Sequence, residues 1–335
     1  DHAPELWGML FKQTDRPELA RKLSRWKRAL PSASRTKFSR HLAGFDPDVV
    51  LCTHYLPLEA LGKLRAKAAA SSRGSRGRKG AVVPGGQPLK PFVVSVVTDF
   101  EAHALWMDDC VDLYCVAAEQ TRARLIARGA DPAIVVPTGI PISPRFSVRI
   151  DPAKVRKNFG LRDDLPVVLV LSGGFGTGPV AECVAELDKV AKPFQMVVVA
   201  GRNEELRRDL AARDRKHPTH VLGFVTTMPE LMAAADLILS KPGGLTTSEA
   251  LAMGKPLFIV NPIPGQEAAN SDFLLEQGAG AKVNRVEDLP FRVEQLLGSR
   301  KLAEMGRAAK ALGRPKAANA ICAQVVSRLT QAAEA

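Results

Sequence analysis

Short apolar runs recur along the chain, separated by longer stretches of mixed polarity, and their spacing predicts alternating strands and helices. Pro47–His54 contains Val49-Val50-Leu51-Cys52, a strand-length run ending in a histidine, and a helix follows through Leu58–Ala70. Residues 71–91 are rich in Gly, Ser, Pro and basic residues and read as a flexible loop. Phe92–Thr98 predicts a second buried strand closing on Thr98-Asp99, Val111–Val116 a third, and residues 119–129 a helix. Val135–Pro141 leads out of this half, and the proline-rich stretch to Pro152 reads as a linker. Ahead of all this, Leu19, Leu23, Trp26 and Leu30 fall at helical spacing over residues 18–30, with Arg21, Lys22, Arg25, Lys27 and Arg28 on the other faces. Such a helix either lies on a membrane surface or packs its stripe onto the first domain.

The alternation resumes in the second half. Strands are expected at Val167–Leu171, Gln195–Ala200, Val221–Phe224, Leu237–Ser240 and Pro256–Asn261. The intervening helices fall at 178–191, 203–214, 228–234 and 246–253. Strands alternating with helices of this length imply parallel sheets with right-handed crossovers. The chain of 335 residues therefore reads as an α/β protein with two Rossmann-like parallel-sheet domains facing a cleft. The expected domains are 1–145, an incomplete first domain, and 146–312, followed by a C-terminal helix over 313–335. In open sheets of this kind ligands bind beyond the C-terminal strand ends.

Composition narrows the class. With 46% hydrophobic and 24% charged residues the chain is an ordinary globular protein, and no apolar run approaches the ~20 residues of a membrane span. The five cysteines, Cys52, Cys110, Cys115, Cys183 and Cys322, form no CxxC pair, which favours reduced thiols and a cytoplasmic setting over a zinc site or disulfide frame. Asp46-Pro47-Asp48 precedes its strand and reads as a turn, so no metal is expected there. The charge is lopsided: residues 1–90 hold 18 Lys and Arg against 7 Asp and Glu, nearly all of the net +12. That field suits an anionic partner, either membrane phospholipid or nucleic acid, unless it is simply a solvated basic surface.

Two glycine-rich turns stand at strand ends. Gly173-Gly174-Phe175-Gly176-Thr177-Gly178 follows Val167–Leu171 and opens a helix, where backbone N–H groups can meet a phosphate. Its spacing is not the dinucleotide fingerprint, and the Walker lysine is missing. Lys241-Pro242-Gly243-Gly244-Leu245-Thr246-Thr247-Ser248-Glu249-Ala250 repeats the arrangement after Leu237–Ser240. Glu249 falls early in the second helix, where its carboxylate could accept both hydroxyls of a ribose or serve a capping role. Past the next strand, Gln266, Glu267 and Asn270 in Asn261–Asn270 offer hydrogen-bonding groups suited to sugar hydroxyls. Nucleic-acid binding would account for the charge but not for these turns.

These motifs carry a resemblance. Gly223-Phe224-Val225, Met228, Leu231–Asp236, Lys241–Glu249 and Pro264–Ala268 with Asn270 resemble the monogalactosyldiacylglycerol synthase and processive diacylglycerol glucosyltransferase group of glycosyltransferase family 28. Gly201-Arg202-Asn203, the Gly173–Gly178 turn, and Thr98-Asp99 with His103 and Trp106 extend the likeness over roughly residues 45–325. The resemblance implies a GT-B fold and inverting transfer of a hexose from a UDP-sugar to a membrane lipid such as diacylglycerol, without a metal. By matching motif, Gly174 and Gly176 would approach the diphosphate, while Phe224 and Val225 would frame the uracil with backbone groups. Gly243, Gly244 and Thr246 would line the phosphate-facing helix start, Glu249 would bind the ribose, and Gln266 and Glu267 would contact the hexose. Asp99 and His103 would seat the acceptor, and the basic first half would hold the protein to the inner face of the cell membrane. His103 and His54 could equally be hydrogen-bonded loop histidines. One departure stands out: the family's glycine-rich loop ending in a histidine has no match before residue 45. Since Asp1 replaces an initiating methionine, truncation is the simpler expectation, catalytic incompleteness the other. A UDP-sugar 2-epimerase and a non-catalytic UDP-sugar-binding protein remain competing readings.

Overall fold

The computed structural model describes residues 14–15, 33–74, 91–173 and 179–334. The helix expected at 18–30 and most of the basic 71–91 loop lie outside them, as do Gly174 and Gly176. The chain divides into two compact units, Asp1–Ile140 with Ala317–Ala335, and Pro141–Lys316.

The first unit opens with helix α1 (Ala33–Phe45), strand β1 (Val49–Cys52) and helix α2 (Leu56–Gly74). Strands β2 (Phe92–Val96) and β3 (Leu113–Val116), helix α3 (Glu119–Ala127) and strand β4 (Val135–Pro137) complete its sequential part. The sheet is parallel throughout, in the order β1-β2-β3-β4. Alternation along β2 feeds two cores: Val93 and Val97 pack with Leu58, Leu61 and Leu125, while Val94 and Val96 face the other way. Asp112, at the entrance to β3, accepts from Val93 N–H at 2.7 Å and from both terminal nitrogens of Arg65, fixing the start of the β2–β3 pair.

The second unit runs through α4 (Pro152–Asn158), β5 (Val167–Leu171), α5 (Val180–Leu187), β6 (Gln195–Val199), α6 (Glu204–Ala211) and β7 (Thr219–Leu222). It continues with α7 (Met228–Ala234), β8 (Leu237–Ser240), α8 (Gly244–Ala252), β9 (Leu257–Val260), α9 (Gln266–Glu276) and β10 (Gly280–Val283). Helices α10 (Leu289–Leu296) and α11 (Arg300–Leu312) close it. Its six strands are parallel, in the order β10-β9-β8-β5-β6-β7, so the winding reverses between β5 and β8. Strands β5, β6, β8 and β9 are buried along their whole length, which is why they read as continuous apolar runs. Asp236 mirrors Asp112: it accepts from Val167 N–H at 2.7 Å and from Arg156 at 2.8 Å, clamping the entrances of β5 and β8.

Helix α12 (Ala317–Glu334) returns to the first unit, where Ile321 and Val325 cover Val94, Val96, Leu113 and Cys115. The structure departs from sequence expectation in several places. Residues 71–74 are helical, continuing α2, rather than the start of a loop. Val135–Pro137 pairs as a fourth strand on the free edge of β3 before the chain leaves the first unit after Ile140. Asp46, between α1 and β1, has a φ of 44°. Among the described residues no helix is long and apolar enough to cross a membrane.

Candidate functional site

The reversal between β5 and β8 leaves a gap between two crossovers, and the C-terminal strand ends around it form a pocket of about 120 Å³. Its floor is the end of β5, where Ser172 is buried and donates to Val199 O at 2.9 Å. Gly173 follows at φ of 75°, a left-handed conformation that a side chain would strain. On the far side the chain leaves β7 at Leu222, because the neighbouring β6 ends at Val199. Gly223-Phe224-Val225 therefore stands free as a loop, not as the end of the expected strand. The Phe224 ring is 62% exposed, and the Arg202 guanidinium lies 5.4 Å from its centroid.

The opposite wall is α8. Gly243 caps it in an extended conformation and contributes no side-chain acceptor, so no side-chain cap takes up the first N–H groups of the helix. A Cβ at Gly243 would meet nothing within 4 Å, which leaves the helix start open to approach. Thr246 and Glu249, on consecutive turns of α8, line the pocket together with Phe224 and Val225. Burial lifts the Glu249 carboxyl from 4.5 to about 7, since little water is left to solvate its charge. Four of the sequence-expected residues thus meet in one pocket. Met228, Met232 and Gly201 also line it and were not singled out as site residues. Met228 and Met232 look like core positions in the sequence, and only their place on α7 turns them toward the pocket.

The Asn261–Asn270 segment is arranged differently. Asn261 is left-handed at φ of 43° and Gly265 at 106°. Glu267 accepts from Ile263 N–H at 2.8 Å and so closes its own loop, while Gln266 begins α9 with its Oε1 buried and unpaired. Asn270 is fully buried, and its amide donates to Pro242 O at 3.0 Å, tying α9 to the turn ahead of α8. None of the three lines the pocket around Glu249.

In the first unit Asp99 lies partly buried in the loop after β2. His103 is buried and caps a short 3-10 turn over Ala104–Trp106, its Nδ1 accepting from Leu105 N–H at 3.1 Å. That bond places the ring proton on Nε2, which lies 3.3 Å from Thr14 Oγ1 and 3.8 Å from Asp15 Oδ1. Asp15 in turn pairs with Arg128 at 2.6 Å and accepts from Ala104 N–H at 3.0 Å. His54 is exposed, accepts from Leu56 N–H at 3.1 Å and stacks on Tyr55. Cys52, Cys110, Cys115 and Cys183 are buried free thiols, whereas Cys322 is exposed. Among the described residues no group of three or more His, Cys, Asp or Glu is placed to hold a metal ion.

Two parallel-sheet units, the second with its pocket at a winding reversal, define a GT-B fold. The structure is similar to that of Acinetobacter baumannii MurG, with a TM-score of 0.62 and 18% identity over 88% of this chain and 77% of that one. It is also similar to a UDP-GlcNAc 2-epimerase from Neisseria meningitidis bound to UDP-GlcNAc, at a TM-score of 0.62 and 15% identity over 88% and 80% of the two chains. Residues 85–142 match the monogalactosyldiacylglycerol (MGDG) synthase family and residues 167–321 the glycosyltransferase family 28 C-terminal domain. The processive diacylglycerol beta-glucosyltransferase of Bacillus pumilus is 32% identical over 256 residues, which are 76% of this chain and 65% of that protein. The chain spans just under two thirds of the length of that relative, and its second unit carries the match to the glycosyltransferase family 28 C-terminal domain.

Proposed function

We propose that this chain transfers a hexose from a UDP-sugar, with inversion, to the hydroxyl of a diacylglycerol-type membrane lipid. The observation that carries the reading is the convergence of Glu249, Thr246 and the Phe224-Val225 loop on one pocket at the C-terminal strand ends. The second unit, Pro141–Lys316, is the donor domain and the first unit the acceptor domain, a division a few residues from the 145/146 boundary expected from sequence. In the pocket, backbone groups of Phe224 and Val225 frame the uracil and the Glu249 carboxylate accepts the ribose hydroxyls. The N–H groups at Gly243, Gly244 and Thr246, with the turn containing Gly174 and Gly176, stabilise the diphosphate. Gln266 and Glu267 meet the hexose, and Asn270 holds their helix in place. The lipid hydroxyl oxygen attacks the anomeric carbon and gives up its proton to water or to the departing diphosphate, the bond from that carbon to the diphosphate oxygen breaks, and UDP departs with the electron pair. No metal is required by this scheme, because helix N-termini neutralise the leaving group. Asp99 and His103 shape the loop that receives the acceptor, and the basic first half holds the protein against anionic lipid at the cytoplasmic face. Support for the lipid acceptor comes from the names of the relatives, which are diacylglycerol glucosyltransferases.

The epimerase likeness motivates one competing reading. The two separate in one experiment: a panel of UDP-hexoses is incubated with and without diacylglycerol vesicles. Glycolipid formed only with vesicles is the expected result. Conversion of free UDP-sugar without lipid would replace the transferase with an isomerase, and no turnover with retained UDP binding would leave a non-catalytic binding protein.

A further inference from the structure

The pocket's two walls are joined by a segment that no site motif includes. Pro144–Ser147, a 3-10 turn at the start of the second unit, buries Phe146 and packs against α8, the helix that carries Thr246 and Glu249. From the same turn Arg145 reaches the opposite wall. Its Nη1 donates to Thr226 O at 2.6 Å, and its Nη2 pairs with Glu230 Oε1 at 2.8 Å. Thr226 follows Val225 directly, so this bond holds the carbonyl next to the loop that faces the pocket. Glu230 sits in the first turn of α7, whose Met228 lines the same pocket. The other Glu230 oxygen is buried and unpaired, so the bond from Arg145 is what this carboxylate relies on. Arg202 constrains the loop from the other side through the Phe224 ring. Glycine at 223 leaves the loop little stiffness of its own, and Phe224 beside it is mostly exposed.

We infer that Arg145 is a positioning residue for nucleobase recognition: it fixes the Phe224–Thr226 loop against α8 in the geometry that reads uracil. The inference rests on the uridine assignment above and adds the part that selects the base. A guanidinium is needed for this, because it must reach a carbonyl and a carboxylate on diverging lines with two separate N–H groups. Arg145 is about half exposed, its side chain being 51% accessible, so its removal leaves no cavity and is not expected to unfold the unit.

The test uses the full chain and isothermal titration with UDP and with ADP, alongside thermal unfolding. Wild-type protein is measured first. If it binds UDP no better than ADP, the uridine assignment itself fails. If it prefers UDP, Arg145→Ala should weaken UDP binding about tenfold while ADP binding stays constant, so that the preference collapses. Arg145→Lys keeps the charge but offers no paired donors, and should lose about half of that effect on a logarithmic scale. Unfolding temperatures within about two degrees of wild type separate positioning from bulk stability. An undiminished UDP-over-ADP ratio in both variants would overturn the inference, as would equal losses for both nucleotides.

Discussion

Replacing Glu249 by glutamine tests the pocket at its electrostatic centre. The structure places this carboxyl where burial raises it from 4.5 to about 7. The folded protein then holds the proton more tightly than the unfolded chain does. Its contribution is therefore most favourable below pH 4.5, declines as pH rises towards 7, and is fully unfavourable above that. A displacement from 4.5 to about 7 corresponds to about 3 kcal/mol across the window. Glutamine keeps the shape and cannot ionise. Glu249→Gln should match wild type near pH 4.5 and exceed it by up to about 3 kcal/mol at pH 8.5, roughly 6–10 °C in unfolding temperature. Ligand binding should move in the opposite direction. Two ribose hydroxyls donating to the carboxylate select its charged form, so wild-type affinity for a UDP-hexose should rise with pH up to about 7 and then level off. The glutamine variant should bind at least about tenfold more weakly at pH 8.5, with no rise through that window. A UDP-hexose is the right probe, since its diphosphate is esterified at both ends and does not titrate there. Calorimetry and thermal unfolding from pH 5 to 9 read both quantities. Affinity that is pH-independent in wild type, or unchanged in the variant, would remove Glu249 from the ribose; an absent stability gain would refute the burial argument.

Three further outcomes are expected. Gly313→Ala should cost about 1–3 kcal/mol in urea unfolding, because a Cβ there would lie 2.5 Å from Leu251 O, a backbone atom that cannot swing aside; a neutral result would mean that the chain after α11 relaxes freely. Asn270→Ala should lower stability by about 1–3 kcal/mol and weaken UDP binding in parallel, since its amide holds the turn ahead of α8; unchanged unfolding would show the bond to be dispensable. Binding to anionic vesicles should be lost near 1 M salt, where charges are screened within about 3 Å; retention there would argue for apolar insertion instead of an electrostatic anchor.

Much of this architecture is visible in the order of residues, for reasons that differ by element. Helix Met228–Ala234 and strand Leu237–Ser240 fall where patterning places them, because burial of β8 on both faces leaves an unbroken apolar run. Val221–Phe224 extends too far as a sequence-based strand, since its end is set by the length of β6, not by its own residues. Helix α1 gives almost no periodic signal: among the described residues it is Phe38 and Leu42 that pack on the core. The place of Glu249 and Thr246 in the fold is legible because a strand, a glycine turn and a helix start are local features. The partners of Asn270 are not, since whether its amide meets Pro242 O, 28 residues away, depends on packing between helices. Arg145 escapes for the same reason, with partners more than 80 residues on.

The return of α12 to the first unit has a consequence for biosynthesis. A nascent chain emerging amino-terminus first can complete the second unit before Ile321 and Val325 have left the ribosome. Until then one side of the β1–β4 layer carries Val94, Val96, Leu113 and Cys115 without their cover. The part made first is thus finished last: one side of its sheet is covered only when Ala317–Glu334 docks.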